Sequence, residues 1–127
     1  MANAWKGKPT AYTKVVEAEL SQTVRKAAFF VLRSLIVSSP VDTGRFKGNW
    51  QVGIGEKVTG VTERLDKGGA VTLQAGLSVI KSKAVIHNLW ISNNLPYAER
   101  IENGWSTQAP SGVVALAMRK AERAGYL

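Results

Sequence analysis

The sequence contains no cysteine. Disulfides and thiolate metal sites are therefore excluded, and the chain suits assembly in a reducing cytoplasm. Histidine is nearly absent too: His87 stands alone, so a protein-only zinc centre, built mainly from Cys and His, is not expected. No apolar run approaches the ~18 residues of a membrane span. The stretch Met1–Pro9 is polar, carries Lys6 and Lys8, and lacks the apolar core of a signal peptide. The expectation is a protein made in the cytoplasm, with no membrane partner, no metal and no cofactor. There is also no compact cluster of Lys and Arg, no helix-turn-helix signature, no zinc-finger spacing and no aromatic platform for single strands, so sequence-specific DNA reading has no support.

What is present fits one domain: 127 residues, of which 45 % are hydrophobic. The formal net charge is +8. Residues 1–47 hold eight Lys/Arg against three acids, whereas residues 84–127 hold four against three. This N-terminal excess suits contact with nucleic acid, with an acidic partner surface, or with solvent alone.

Residues 1–9 read as a flexible arm in which Trp5 either docks into a partner or folds back onto its own domain. The rest, 10–127, reads as a single α+β domain. Val16, Leu20, Val24, Ala27, Ala28, Val31, Leu35 and Ile36 recur at three- and four-residue steps and predict a helix over 10–37, about 40 Å long. Pro40 ends it. Trp50–Ile54 alternates like a strand. Residues 55–70, rich in Gly and charge, read as a long hairpin loop of the kind that becomes ordered at an interface. Val71, Leu73, Ala75, Leu77 and Val79 alternate with smaller or polar residues and predict a second strand, antiparallel to the first. Ala84–Ser92 predicts a third strand, with His87 a satisfied sheet residue within it. A short helix follows at 97–103, stopped by Gly104. A last helix, capped by Ser111, runs to about Arg123. The expected fold class is thus a long N-terminal helix packed on a small antiparallel β-sheet, with a short helix and a C-terminal helix.

Two segments carry recognisable patterns. Ser39-Pro40-Val41-Asp42-Thr43-Gly44-Arg45-Phe46-Lys47-Gly48-Asn49-Trp50 follows the long helix. Leu95-Pro96-Tyr97-Ala98-Glu99-Arg100-Ile101-Glu102-Asn103-Gly104 comes about fifty residues later. In this order, ahead of a C-terminal amphipathic helix, they resemble the tail-completion (neck, or head–tail joining) proteins of long-tailed bacteriophages. The resemblance spans roughly residues 15–123. Ala109–Val114 departs from the proline-rich stretch that many members carry before the last helix. The resemblance implies a non-enzymatic structural virion protein, made in the host cytoplasm and placed in the neck. It also implies a ring, usually sixfold, between the head connector or stopper and the tail tube or terminator, with genomic DNA passing through the lumen.

Asp42, Thr43, Gly44, Tyr97 and Gly104 are the structural landmarks of these motifs. The triplet Asp42-Thr43-Gly44 also matches the active-site triplet of homodimeric aspartic proteases, in which two carboxylates share a proton. Here it follows a helix rather than an apolar strand, and Arg45 puts a cation where such a pocket wants a small neutral residue. The favoured reading is that the Asp42 carboxylate and Thr43 hydroxyl cap the turn after the helix. Tyr97 and Ile101, four apart, would face the core, leaving Glu99 and Glu102 to solvent or to a neighbouring subunit. Two of Trp50, Trp90 and Trp105 are expected in the core, with Trp105 the interface anchor beside Trp5. Lys14, Arg25, Lys26 and Arg33 are candidates for weak, salt-sensitive contact with DNA in a lumen, or for an acidic neighbour. A nonspecific DNA-binding protein is the alternative function.

Overall fold

The structure is a computed structural model that describes the backbone of residues 9–127 and the side chains of residues 19–127. The arm at 1–9 lies almost wholly outside the described residues, as do Trp5 and the side chain of Lys14. The elements run α1 (Pro9–Ser38), a single 3-10 turn (Lys47–Asn49), β1 (Gln51–Ile54), α2 (Ala70–Lys81), β2 (Leu89–Ser92), α3 (Ala98–Glu102) and α4 (Val114–Arg123). The fold class is α+β, with a long first helix over a small antiparallel sheet.

At 30 residues, α1 is about 45 Å long. Its buried face is Ala28, Leu32, Leu35 and Ile36, and it packs against α2 and α4. The expected apolar stripe is displaced: Leu20 is exposed, and Val24, Ala27 and Val31 are only partly covered. Ser39 finishes the helix. Its hydroxyl donates to the Leu35 carbonyl (2.6 Å) and accepts the indole N–H of Trp50 (2.7 Å), so a helix-end carbonyl and a buried Trp are satisfied by one side chain.

The sheet has two strands. Gln51–Ile54 pairs antiparallel with Leu89–Ser92, Gln51 opposite Ser92 and Ile54 opposite Leu89. The strand expected at 71–79 is instead the middle of α2, and the strand expected at 84–92 is confined to its last four residues. The physical reason lies in which residues are covered. Thr72, Gly76 and Ile80, at steps of four, face the core, while Val71 of the alternating set is exposed. Gly76 lets α2 approach α1 closely: a Cβ there would overlap Leu32 Cδ2 and lie 3.2 Å from Val52 Cγ2.

Asp66 starts α2 from outside it. Its carboxylate accepts the Gly69 N–H (3.1 Å), the Thr72 N–H (2.7 Å) and the Thr72 hydroxyl (2.8 Å). Burial works to raise the Asp66 pKa, but these hydrogen bonds, together with the charge of Arg64, outweigh it and hold the carboxyl below its ordinary value.

Residues 55–69 are therefore not a hairpin loop between strands but a β1–α2 connection tied along its length. The buried Asn49 side chain brackets Thr62, donating to its carbonyl (3.0 Å) and accepting its N–H (2.9 Å). Asn94 Nδ2 donates to the Val58 (2.8 Å) and Gly60 (3.0 Å) carbonyls, and Arg64 Nε to the Gly48 carbonyl (3.0 Å). Among the described residues no helix is long and apolar enough to cross a membrane.

Candidate functional site

The two motifs, fifty residues apart in sequence, line one cleft. The chain leaves α1 at Ser38, turns through Pro40–Phe46 and enters the 3-10 turn. Gly44 makes that turn possible. Its φ is +88°, and a Cβ would stand 2.6 Å from the Lys67 amide nitrogen and 2.7 Å from that of Asp66. Its carbonyl accepts the N–H of Gly48 (2.8 Å) and of Asp66 (3.1 Å), which joins the turn to the β1–α2 connection.

Across from this turn sit Tyr97, at the start of α3, and the loop that follows Gly104. Gln108 clamps the two sides: its Nε2 donates to the Val41 carbonyl (3.1 Å) and its Oε1 accepts the Val41 N–H (2.9 Å). Asn93 adds a second tie, from Nδ2 to the Phe46 carbonyl (2.9 Å). The cleft so enclosed has a volume of about 240 Å³ and is lined by Asp42, Thr43, Arg45, Tyr97, Ser106 and Gln108, with Phe46 and Ile101 among its apolar walls. The Tyr97 ring lies 6.2 Å from that of Phe46 and is more than one-third exposed, so Tyr97 belongs to the cleft and not to the core.

The expected caps divide. The Thr43 hydroxyl accepts the Arg45 N–H at 3.3 Å, closing a local turn. Asp42 is exposed, and among the described residues its carboxylate accepts no hydrogen bond, so the cap rests on Thr43 alone. The triplet lies on a turn after a helix, not after a strand. Among the described residues no group of three or more His, Asp or Glu side chains is placed to hold a metal ion.

Glu102 is engaged within its own chain. Its carboxylate reaches into the start of α4, where it accepts the N–H groups of Val113 (2.8 Å), Val114 (2.7 Å) and Ala115 (3.0 Å). This is the cap expected of Ser111, supplied instead from α3 by a charged group at the positive end of the helix. Glu99, by contrast, is exposed. Trp105 is 72 % exposed, with the Arg100 guanidinium 5.1 Å from its ring centre. Of the three Trp residues beyond the arm only Trp50 is buried; Trp90 is 46 % exposed. His87 is exposed and precedes β2 instead of lying within a strand.

The lumen candidates separate as well. Arg25 is engaged as a strap: its guanidinium donates to the Lys83 carbonyl (2.7 Å), to the Ala84 carbonyl and to Gln22 Oε1 (3.1 Å), pinning the segment after α2 to α1. Lys26 and Arg33 are exposed on α1.

A second concavity, about 650 Å³ and almost wholly apolar, runs beside α1 between β2 and α4. Val24, Ala27, Val31, Ile91, Met118 and Tyr126 line it. Among the described residues it is the flank of the α1 stripe that the core leaves open.

Sequence reasoning missed the roles of Asn49 and Gln108, and noted Arg45 only as a cation that argues against a protease. The place of Asn49 inside the first motif was the available signal for it; nothing local marks Gln108. Comparison with family models, with curated proteins and with solved structures finds no match for this chain.

Proposed function

We propose that the chain is a structural virion protein of a tailed bacteriophage, a ring-forming tail-completion or neck component between the head connector and the tail. The observation that carries the reading is the meeting of the two motif segments, 41–50 and 95–104, in one cleft. They are the segments on which the resemblance rests, and their convergence is what a shared structural role for them requires. Surface character supports it. Trp105, Trp90, Val71, Leu65 and Met118 are exposed, and an open apolar groove flanks α1. Exposed apolar surface on this scale suits a subunit whose faces are finished by neighbours.

On this reading the mechanism is geometric. Heterologous contacts between identical copies close a ring, the connector or stopper and the tail tube or terminator cover its two ends, and DNA passes through the bore. Of the lumen candidates whose side chains are described, Lys26 and Arg33 are exposed and can give weak attraction there, whereas Arg25 is spent on the fold.

The test is the mass of the purified protein by light scattering or native mass spectrometry, followed by its copy number in intact particles. A closed oligomer with the same copy number in the particle is expected. A chain that stays monomeric at all concentrations and is absent from particles overturns the reading. If it also binds free duplex with a steep dependence on salt, the alternative of a nonspecific DNA-binding protein takes its place.

A further inference from the structure

We infer that the cleft between the Asp42–Arg45 turn and α3 is a carboxylate-binding site, filled on assembly by an acidic side chain of a second copy of this chain. The choice of occupant rests on the ring reading above; the site itself does not.

The cleft offers donors. Arg45 lines it, and Arg45 Nε is buried with no hydrogen-bond partner. Arg45 as a whole is only partly covered, but a buried N–H without a partner is costly, because that N–H has lost water and gained no acceptor. The hydroxyls nearby are oriented by the backbone. Thr43 Oγ1 accepts the Arg45 N–H (3.3 Å) and Ser106 Oγ accepts the Gln108 N–H (3.2 Å), which leaves each hydroxyl proton to be given outward. The Tyr97 hydroxyl adds a third donor at the same cleft.

A cation and three hydroxyls around about 240 Å³ suit a small planar anion. The Nε and Nη groups along one edge of a guanidinium form a fork that matches two carboxylate oxygens. Asp42, exposed on the cleft wall, disfavours a dianion such as phosphate and leaves a monoanion as the better fit. Since Nε is covered in the free chain, the carboxylate is met by a rotation of the Arg45 side chain, which relieves the orphaned donor on assembly. Glu56, Glu63, Glu99 and Glu122 are exposed and available on a second copy.

Two measurements test this. The first is a titration of the protein with sodium acetate, followed at the Arg45 Nε–H resonance, with sodium chloride and sodium phosphate as parallel arms. A saturable shift with acetate in the millimolar range, with chloride inert and phosphate weaker, is expected. No shift, or a response to phosphate equal to that with acetate, overturns the carboxylate assignment whatever the protein's oligomeric state. The second is assembly of the variants Arg45→Gln and Arg45→Lys, with cooperative unfolding checked for each. Arg45→Gln is expected to raise the concentration for half-assembly roughly tenfold or more. Arg45→Lys, which keeps the charge and loses the fork, should fall between it and the parent chain. Unchanged assembly of folded Arg45→Gln removes the second copy as occupant while leaving the ring intact, whereas failure of the parent chain to assemble overturns the ring reading instead.

Discussion

Single residues set the fold's most vulnerable points, and two acids show how. Glu102 satisfies three N–H groups at the start of α4. Glu102→Ala should cost about 2 kcal/mol, the upper end for loss of a helix cap, read as a lower urea midpoint. Reversing its charge should cost more than the alanine variant, because a cation then faces the positive end of α4, so any effect on assembly would be mixed with lost stability, which makes Glu99 the acid to vary for that purpose. Asp66 is held below its ordinary pKa of 3.8, so its contribution is complete only well above that value and is lost as the pH falls from there through the lowered folded value. Asp66→Asn should be less stable at neutral pH, and its stability gap from the parent chain should narrow on acidification below that point. A gap that stays constant down to acid unfolding would refute the assignment. The Glu102 role left no signal in the sequence, and the Asp66 role was passed over. A carboxylate that caps a helix eleven residues on, across a loop, leaves no local pattern, whereas the Thr43 turn and the Gly44 bend were legible because their partners lie within a few residues.

At the scale of elements, what could be read depended on how each helix balances its faces. α1 was readable because its apolar residues recur over many turns, although the buried stripe centres on Leu32 and leaves Val24 and Ala27 to the groove. α4 was readable from Val113, Ala117 and Ala121, all buried at steps of four. α2 was not. Its alternating Val71, Leu73, Ala75, Leu77 and Val79 fit a period of two, while the residues that decide its packing are Thr72 and Gly76, which a hydrophobic pattern ignores. The missed signal was Asp66 ahead of Gly69 and Thr72, a helix start that reads as loop chemistry when a hairpin is expected. Gly76 gives the test. Gly76→Ala raises helix propensity by about 1 kcal/mol, yet its methyl group would intrude on fully buried Leu32. Overpacking of this kind typically costs 1–3 kcal/mol. Net destabilisation is therefore expected, and Leu32→Ala should partly relieve it in a double-mutant cycle. A Gly76→Ala chain more stable than the parent would show that α1 and α2 are not packed as described.

For the whole molecule the open question is which exposed groups serve the protein and which are incidental, and Trp105 separates the two. It is 72 % exposed on the loop after α3, next to the motif cleft, with Arg100 over its ring. Its burial contributes little to the free chain, so Trp105→Ala should change unfolding free energy by no more than about 0.5 kcal/mol. If Trp105 anchors a neighbour, the same variant should weaken assembly by an amount typical of an aromatic hot spot, about 2 kcal/mol or more, which is roughly thirtyfold in concentration. Trp90, 46 % exposed on β2, is the internal comparison, because its strand position ties it to sheet packing as well. A Trp105→Ala chain that assembles like the parent would move the interface away from the 95–108 region and toward the groove beside α1. Loss of assembly with unchanged stability would place the contact beside the cleft in which the two motif segments meet.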